Sequence, residues 1–171
     1  MNEKSRCCCF LGHRKISDKD ELKEPLYTTI RNLIINKNVD TFLFGSKSQF
    51  DNLCYVVVTE LKKDFPHIQR IYVRAEFPYI DDSYRNYLLE RFEHTYYPQN
   101  IFSAGKAVYV ERNYEMINKS KYCVIYYDSN YTPSTKRHKN NFLTKKTKSG
   151  TKLAYDYAIK KCVVINIKNK Q

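Results

Sequence analysis

Apolar runs of strand length recur along this chain, and between them lie segments whose apolar residues step at helical spacing. Residues 7–11 read as a buried strand ending at Gly12, and residues 41–44 as a second strand stopped by Gly45. Residues 68–75, 122–127 and 162–167 supply three more. Over residues 20–36, Leu22, Leu26, Ile30, Leu33 and Ile34 recur at three- and four-residue steps, which predicts an amphipathic helix. Helices are predicted likewise over about 50–63, 84–92, 107–119 and 151–161, with a break in the pattern around Pro78. Strands that are apolar throughout, alternating with helices, predict an α/β fold: a three-layer sandwich whose central sheet is mostly parallel and covered on both faces.

The length of 171 residues fits one domain, and no repeat or Ser/Gly-rich linker divides it. Four Gly and five Pro exclude a collagen-like or Pro/Gly-rich disordered chain. No apolar run approaches the ~20 residues needed to cross a bilayer as a helix, and Met-Asn-Glu-Lys-Ser-Arg is not the start of a secretory signal. A cytoplasmic protein is expected. Cys7, Cys8 and Cys9 are consecutive, while Cys54, Cys123 and Cys162 stand alone in apolar segments. Without a C-x-x-C pair no zinc site is predicted; reduced thiols packed as small hydrophobes are.

The net charge of +12 is concentrated near the C-terminus: residues 132–171 hold 11 Lys and Arg against Asp156 alone. A basic loop is expected at about 130–148, densest over 136–148. Such a segment attracts phosphates and gives salt-sensitive nucleic-acid binding; it serves equally as a solvated loop of a Lys-rich chain.

In a doubly wound sheet ligands collect at the carboxyl ends of the strands, near the topological switch point. Three turns there have suitable chemistry: Gly12-His13-Arg14, then Gly45-Ser46 with Asp51 beyond it, and Ser149-Gly150-Thr151 before the last helix. Glycines admit close backbone approach, and free amides at a helix start favour anions, with Ser and Thr hydroxyls beside them. Each is also an ordinary turn or cap. Asp51 either accepts from ribose hydroxyls or caps the following helix. Arg112, followed by Asn113, either grips a phosphate or pairs with Glu111 or Glu115 on the surface. His13 either titrates as an acid–base group or lines a polar wall.

These residues resemble a known family. Cys8-Cys9-Phe10-Leu11-Gly12-His13-Arg14, Gly45 through Asp51, Glu111-Arg112-Asn113-Tyr114-Glu115-Met116-Ile117 and Ser149-Gly150-Thr151 occur in the order seen in YpsA-like members of the SLOG superfamily, over roughly residues 7–167. The resemblance implies one SLOG-type, Rossmann-like domain over residues 1–171, binding or sensing a nucleotide or nucleotide-derived phosphorylated small molecule. It places Gly12, His13, Arg14, Gly45, Ser46, Asp51, Arg112, Asn113, Ser149, Gly150 and Thr151 at the ligand. Mg²⁺ is a candidate companion of a bound phosphate, and a homo-oligomer fits the family. The superfamily includes Lonely-guy-type phosphoribohydrolases, which cleave nucleoside monophosphates at the N-glycosidic bond with a glutamate that falls here on Ala154. A ligand-binding domain is therefore expected ahead of a hydrolase, with Asp51, Glu111, Glu115 and Asp128 as the carboxylates left to substitute. The superfamily also includes DprA-type DNA-processing proteins, which bind single-stranded DNA; the basic loop fits that role, while packing is the simpler use for most of the 16 tyrosines.

Overall fold

The computed structural model describes residues 3–17, 19–131 and 149–170. Within them six strands form one sheet: β1 (Cys7–Gly12), β2 (Thr41–Phe44), β3 (Gln69–Val73), β4 (His94–Tyr96), β5 (Tyr122–Tyr126) and β6 (Val163–Asn166). The spatial order is β4-β3-β2-β1-β5-β6, and every neighbouring pair is parallel. Parallel pairs need crossovers, and five helices supply them: α1 (Lys19–Lys37), α2 (Gln49–Leu61), α3 (Asp82–Leu89), α4 (Ala107–Lys119) and α5 (Gly150–Ala158). From β1 the chain winds outward through β2, β3 and β4, then returns to the other side of β1 for β5. The switch point is the crevice between the carboxyl ends of β1 and β5. This is the parallel-sheet sandwich that the alternation predicts, with the Rossmann-like form that the resemblance implies.

The consecutive cysteines follow from this burial on both faces. Cys8 and Phe10 point into the layer with α1 and α2, where Phe10 stacks on Phe42 at 5.8 Å and packs on Phe44 at 5.0 Å. Cys7, Cys9 and Leu11 point into the opposite layer, with Met116 and Ile117 of α4, Cys123 of β5, and Ala154 and Ala158 of α5. Phenylalanines thus fill one layer, while thiols, alanines and half-buried tyrosines pack against α4 and α5 in the other. All six cysteines are free thiols, five of them buried, as small hydrophobes would be. Among the described residues no helix is long and apolar enough to cross a membrane.

Element bounds agree with the sequence reading to within three residues, and β2 and α4 coincide with it; the notable departures are an additional strand and a shifted helix. β4 has no sequence expectation, because its three residues are exposed or half-buried and carry no apolar run. The helix expected over 84–92 starts earlier, where the Asp81 side chain accepts from the Tyr84 amide at 2.7 Å, and stops at Leu89. Phe92 lies beyond it, packed on Tyr72 and Phe44. The basic stretch 136–148 lies outside the described residues.

Candidate functional site

The turn after β1 and the turn after β2 are clipped together. The Arg14 carbonyl accepts from the Gln49 amide at 2.9 Å, and the Gln49 side chain accepts from the Ile16 amide at 3.1 Å. Gly12 and Gly45 are both required for packing. A Cβ on Gly12 would lie 2.5 Å from the Phe50 ring, and one on Gly45 would lie 2.6 Å from Arg112 Nη1. Each glycine therefore admits a side chain of this chain. Gly150 meets nothing within 4 Å.

Arg112 is 4% exposed and lies over Gly45. Its Nε donates to Asn113 Oδ1 at 3.0 Å and its Nη1 reaches the Val73 carbonyl at 3.5 Å, so α4 crosses the carboxyl ends of β2 and β3. The surface pairing with Glu111 or Glu115 is not what forms. Glu111 accepts from the Phe102 and Ser103 amides and the Ser103 hydroxyl, and Glu115 from Asn100 and Lys119. The carboxylate whose charge bears most on Arg112 is Asp51, itself 5% exposed. Desolvation pushes the Asp51 carboxyl up to about 7, against the opposing pull of Arg112 and the Ser46 and Gly45 amides. Asp51 does not cap α2. Ser48 does, accepting from the Asp51 amide at 3.0 Å, while the Ser46 hydroxyl accepts from the Ser48 amide at 2.9 Å. Asp51 Oδ1 is buried without a hydrogen-bond partner.

At the switch point His13 is 2% exposed. Its Nε2 lies 3.0 Å from the Asp128 amide nitrogen and 3.2 Å from the Asp128 carbonyl oxygen. The shorter contact needs an unprotonated Nε2, which leaves the proton on Nδ1, a buried atom with no partner. Burial holds the His13 pKa below its ordinary value, so the ring is neutral at pH 7. It stacks on Tyr131 at 3.9 Å and packs against Tyr127 at 5.8 Å; Tyr127 stacks on Tyr155 at 4.5 Å. This row of rings joins the end of β1 to the second turn of α5, a helix whose start Ser149 caps by accepting from the Lys152 amide at 3.1 Å. Gly150 is exposed and Thr151 half-buried beside it.

The predicted residues thus fall into two neighbouring groups: Gly12, Arg14, Gly45, Ser46, Asp51, Arg112 and Asn113 over β1 and β2, and His13 with Ser149 to Thr151 around β5. Sequence reasoning misses Glu76 and Tyr109, hydrogen-bonded to each other beside Arg112. It also misses Phe77, Tyr79 and Phe102, large rings left exposed in the loops after β3 and β4; Phe77-Pro78-Tyr79 around the Pro78 break is the one signal the chain offers for them. Ala154 is buried in the α5 layer. Among the described residues no cluster of His, Cys, Asp or Glu is placed to hold a metal ion. A hollow of about 530 Å³ opens at the opposite, amino end of the sheet, lined by Lys4, Lys121, Lys160 and Lys161 among others. Buried polar atoms without partners occur at both ends: Asp51 Oδ1 and His13 Nδ1 at the carboxyl end, Arg6 Nε and Ser120 Oγ at the amino end.

No family model matches the chain, and no curated protein matches it in sequence. Its fold is similar to that of DNA processing protein A from Helicobacter pylori, whose solved structure concerns a unique single-stranded DNA binding mode. The similarity has a TM-score of 0.55 at 16% identity and covers 98% of this chain and 71% of the other.

Proposed function

We propose that the carboxyl end of the sheet binds single-stranded nucleic acid, with the turns after β1 and β2 meeting its phosphates. The observation that carries this reading is the clipping of Gly12-His13-Arg14 to the start of α2, which leaves Arg14, Lys15 and Lys47 exposed on one end of the sheet. The strongly basic 132–148 segment is joined to that same end at Tyr131, stacked on His13, and at Ser149, the cap of α5. The fold shared with a single-stranded DNA-binding protein supports it. Arg112 contributes from beneath: bonded to Asn113 and the Val73 carbonyl, with the charge of Asp51 acting on it, it holds α4 over the β2 turn.

A second reading, a nucleotide-derived small molecule at the same end, is favoured by the unpartnered buried atoms Asp51 Oδ1 and His13 Nδ1, which a ligand hydroxyl or carbonyl would satisfy. Membership in the YpsA-like SLOG family belongs with this reading. Thermal melts separate the two. A single-stranded oligonucleotide raising the melting temperature where mononucleotides and ADP-ribose do not supports the first; the converse supports the second. Were a mononucleotide bound, Asp51 would be the acid–base group to examine, and chromatography for released free base would decide whether the glycosidic bond is cut.

A further inference from the structure

Three of the largest exposed apolar side chains lie in two loops that flank the start of α4. Phe77 is 57% exposed, Tyr79 92% and Phe102 85%. Exposed apolar residues scattered singly call for no explanation. These three sit in two loops that hydrogen bonds fasten and that both contact the start of α4, through Glu76–Tyr109 and Ser103–Glu111. Arg74 Nη1 donates to the Phe77 carbonyl at 2.8 Å and the Pro78 carbonyl at 3.2 Å, and its guanidinium lies over the Tyr97 ring. On the other side the Phe102 and Ser103 amides donate to Glu111 Oε2 at 3.1 and 3.0 Å, and the Ser103 hydroxyl to Glu111 Oε1 at 2.7 Å. Tyr109, on the same turn of α4, bonds Glu76 across the gap. The backbones are thus held while the rings face solvent, so little ordering entropy opposes a ligand that covers them.

Charge narrows the choice of ligand. The β3 side of this end carries Glu76, Asp81 and Asp82 as well as Arg74, which disfavours a run of phosphates there, whereas Arg14, Lys15 and Lys47 over β1 and β2 suit phosphates. A strand with its backbone on the β1–β2 side has its bases free to reach the β3–β4 side.

Resting on the nucleic-acid reading above, we infer that Phe77, Tyr79 and Phe102 form a stacking platform for unpaired bases. Base–aromatic stacking tolerates any sequence because every base has a π-face. The test is the affinity of the chain for a labelled oligothymidylate, compared with an abasic deoxyribose-phosphate oligomer of equal length. The wild-type chain is expected to prefer the oligothymidylate by about 100-fold or more, at about tenfold per stacked ring. The triple variant Phe77→Ala/Tyr79→Ala/Phe102→Ala, whose changes touch no core side chain, is expected to bind both oligomers alike. Equal wild-type affinity for the two overturns the platform while leaving nucleic-acid binding intact, and this comparison needs no variant. Full retention of oligothymidylate affinity in a folded triple variant overturns it as well, and a triple variant that only turns a dimer into a monomer assigns the rings to a second copy of the chain. Binding of neither oligomer by the wild-type chain removes the nucleic-acid reading itself, and the platform falls with it.

Discussion

Burial gives the Asp51 carboxyl a pKa of about 7, against 3.8 for its unperturbed group. A raised carboxyl pKa means the folded chain holds the proton more tightly than the unfolded one. The stability this contributes is fully present below about pH 4 and is lost as pH rises through 7, by roughly 4 kcal/mol. Asp51→Asn keeps an acceptor for the Gly45 and Ser46 amides and removes the ionisation. Urea denaturation from pH 4 to 8 is expected to show that loss in the wild type, with the Asn variant flatter across the window and the more stable of the two at pH 8. The glycines divide in the same concrete way. Gly45→Ala forces a methyl into Arg112 and is expected to cost about 1–3 kcal/mol, with Gly12→Ala similar against Phe50, whereas Gly150→Ala meets open space and should leave the melting temperature within about 1 °C. The two outcomes could not be told apart from the sequence, where all three are glycines in turns. What separates them is which distant side chain arrives above the turn, and Arg112 is 67 positions from Gly45.

At the scale of elements the chain was largely legible, because the central strands β1, β2 and β5 bury both faces and the helices bury one. The β1 cysteines and the Leu and Ile ladder of α1 leave little choice of period. β4 was not legible, since an edge strand of three residues needs no apolar run. The start of α2 was half legible. Ser48-Gln49-Phe50-Asp51 has the spacing of a capping box, which would have named Ser48 as the cap and left Asp51 to the third helical position. Ser48→Ala is expected to cost about 1 kcal/mol of unfolding free energy in denaturant titration, because the Asp51 amide then loses its acceptor in a buried site. The loops after β3 and β4 were the least legible elements. Their rings matter through exposure, and periodicity reports only what is buried.

For the whole molecule, the sheet order gathers turns from residues 12 to 151 on one end and sets the lysine-lined hollow on the other. The two ends are rival places for a polyanion, and they can be separated by charge. Arg14 is exposed at the carboxyl end; Lys160 and Lys161 are exposed at the amino end. The most direct measurement is the equilibrium affinity for a labelled single-stranded oligonucleotide, read by fluorescence anisotropy across a salt series, for the wild type, Arg14→Glu and Lys160→Glu/Lys161→Glu. The wild type is expected to bind with affinity that falls steeply with salt. Arg14→Glu is expected to weaken binding and reduce the salt slope by about 1 or more, with the lysine pair close to wild type. Loss of binding in the lysine pair with Arg14→Glu unaffected would contradict the placement, and no binding by the folded wild-type chain at low salt would contradict the function.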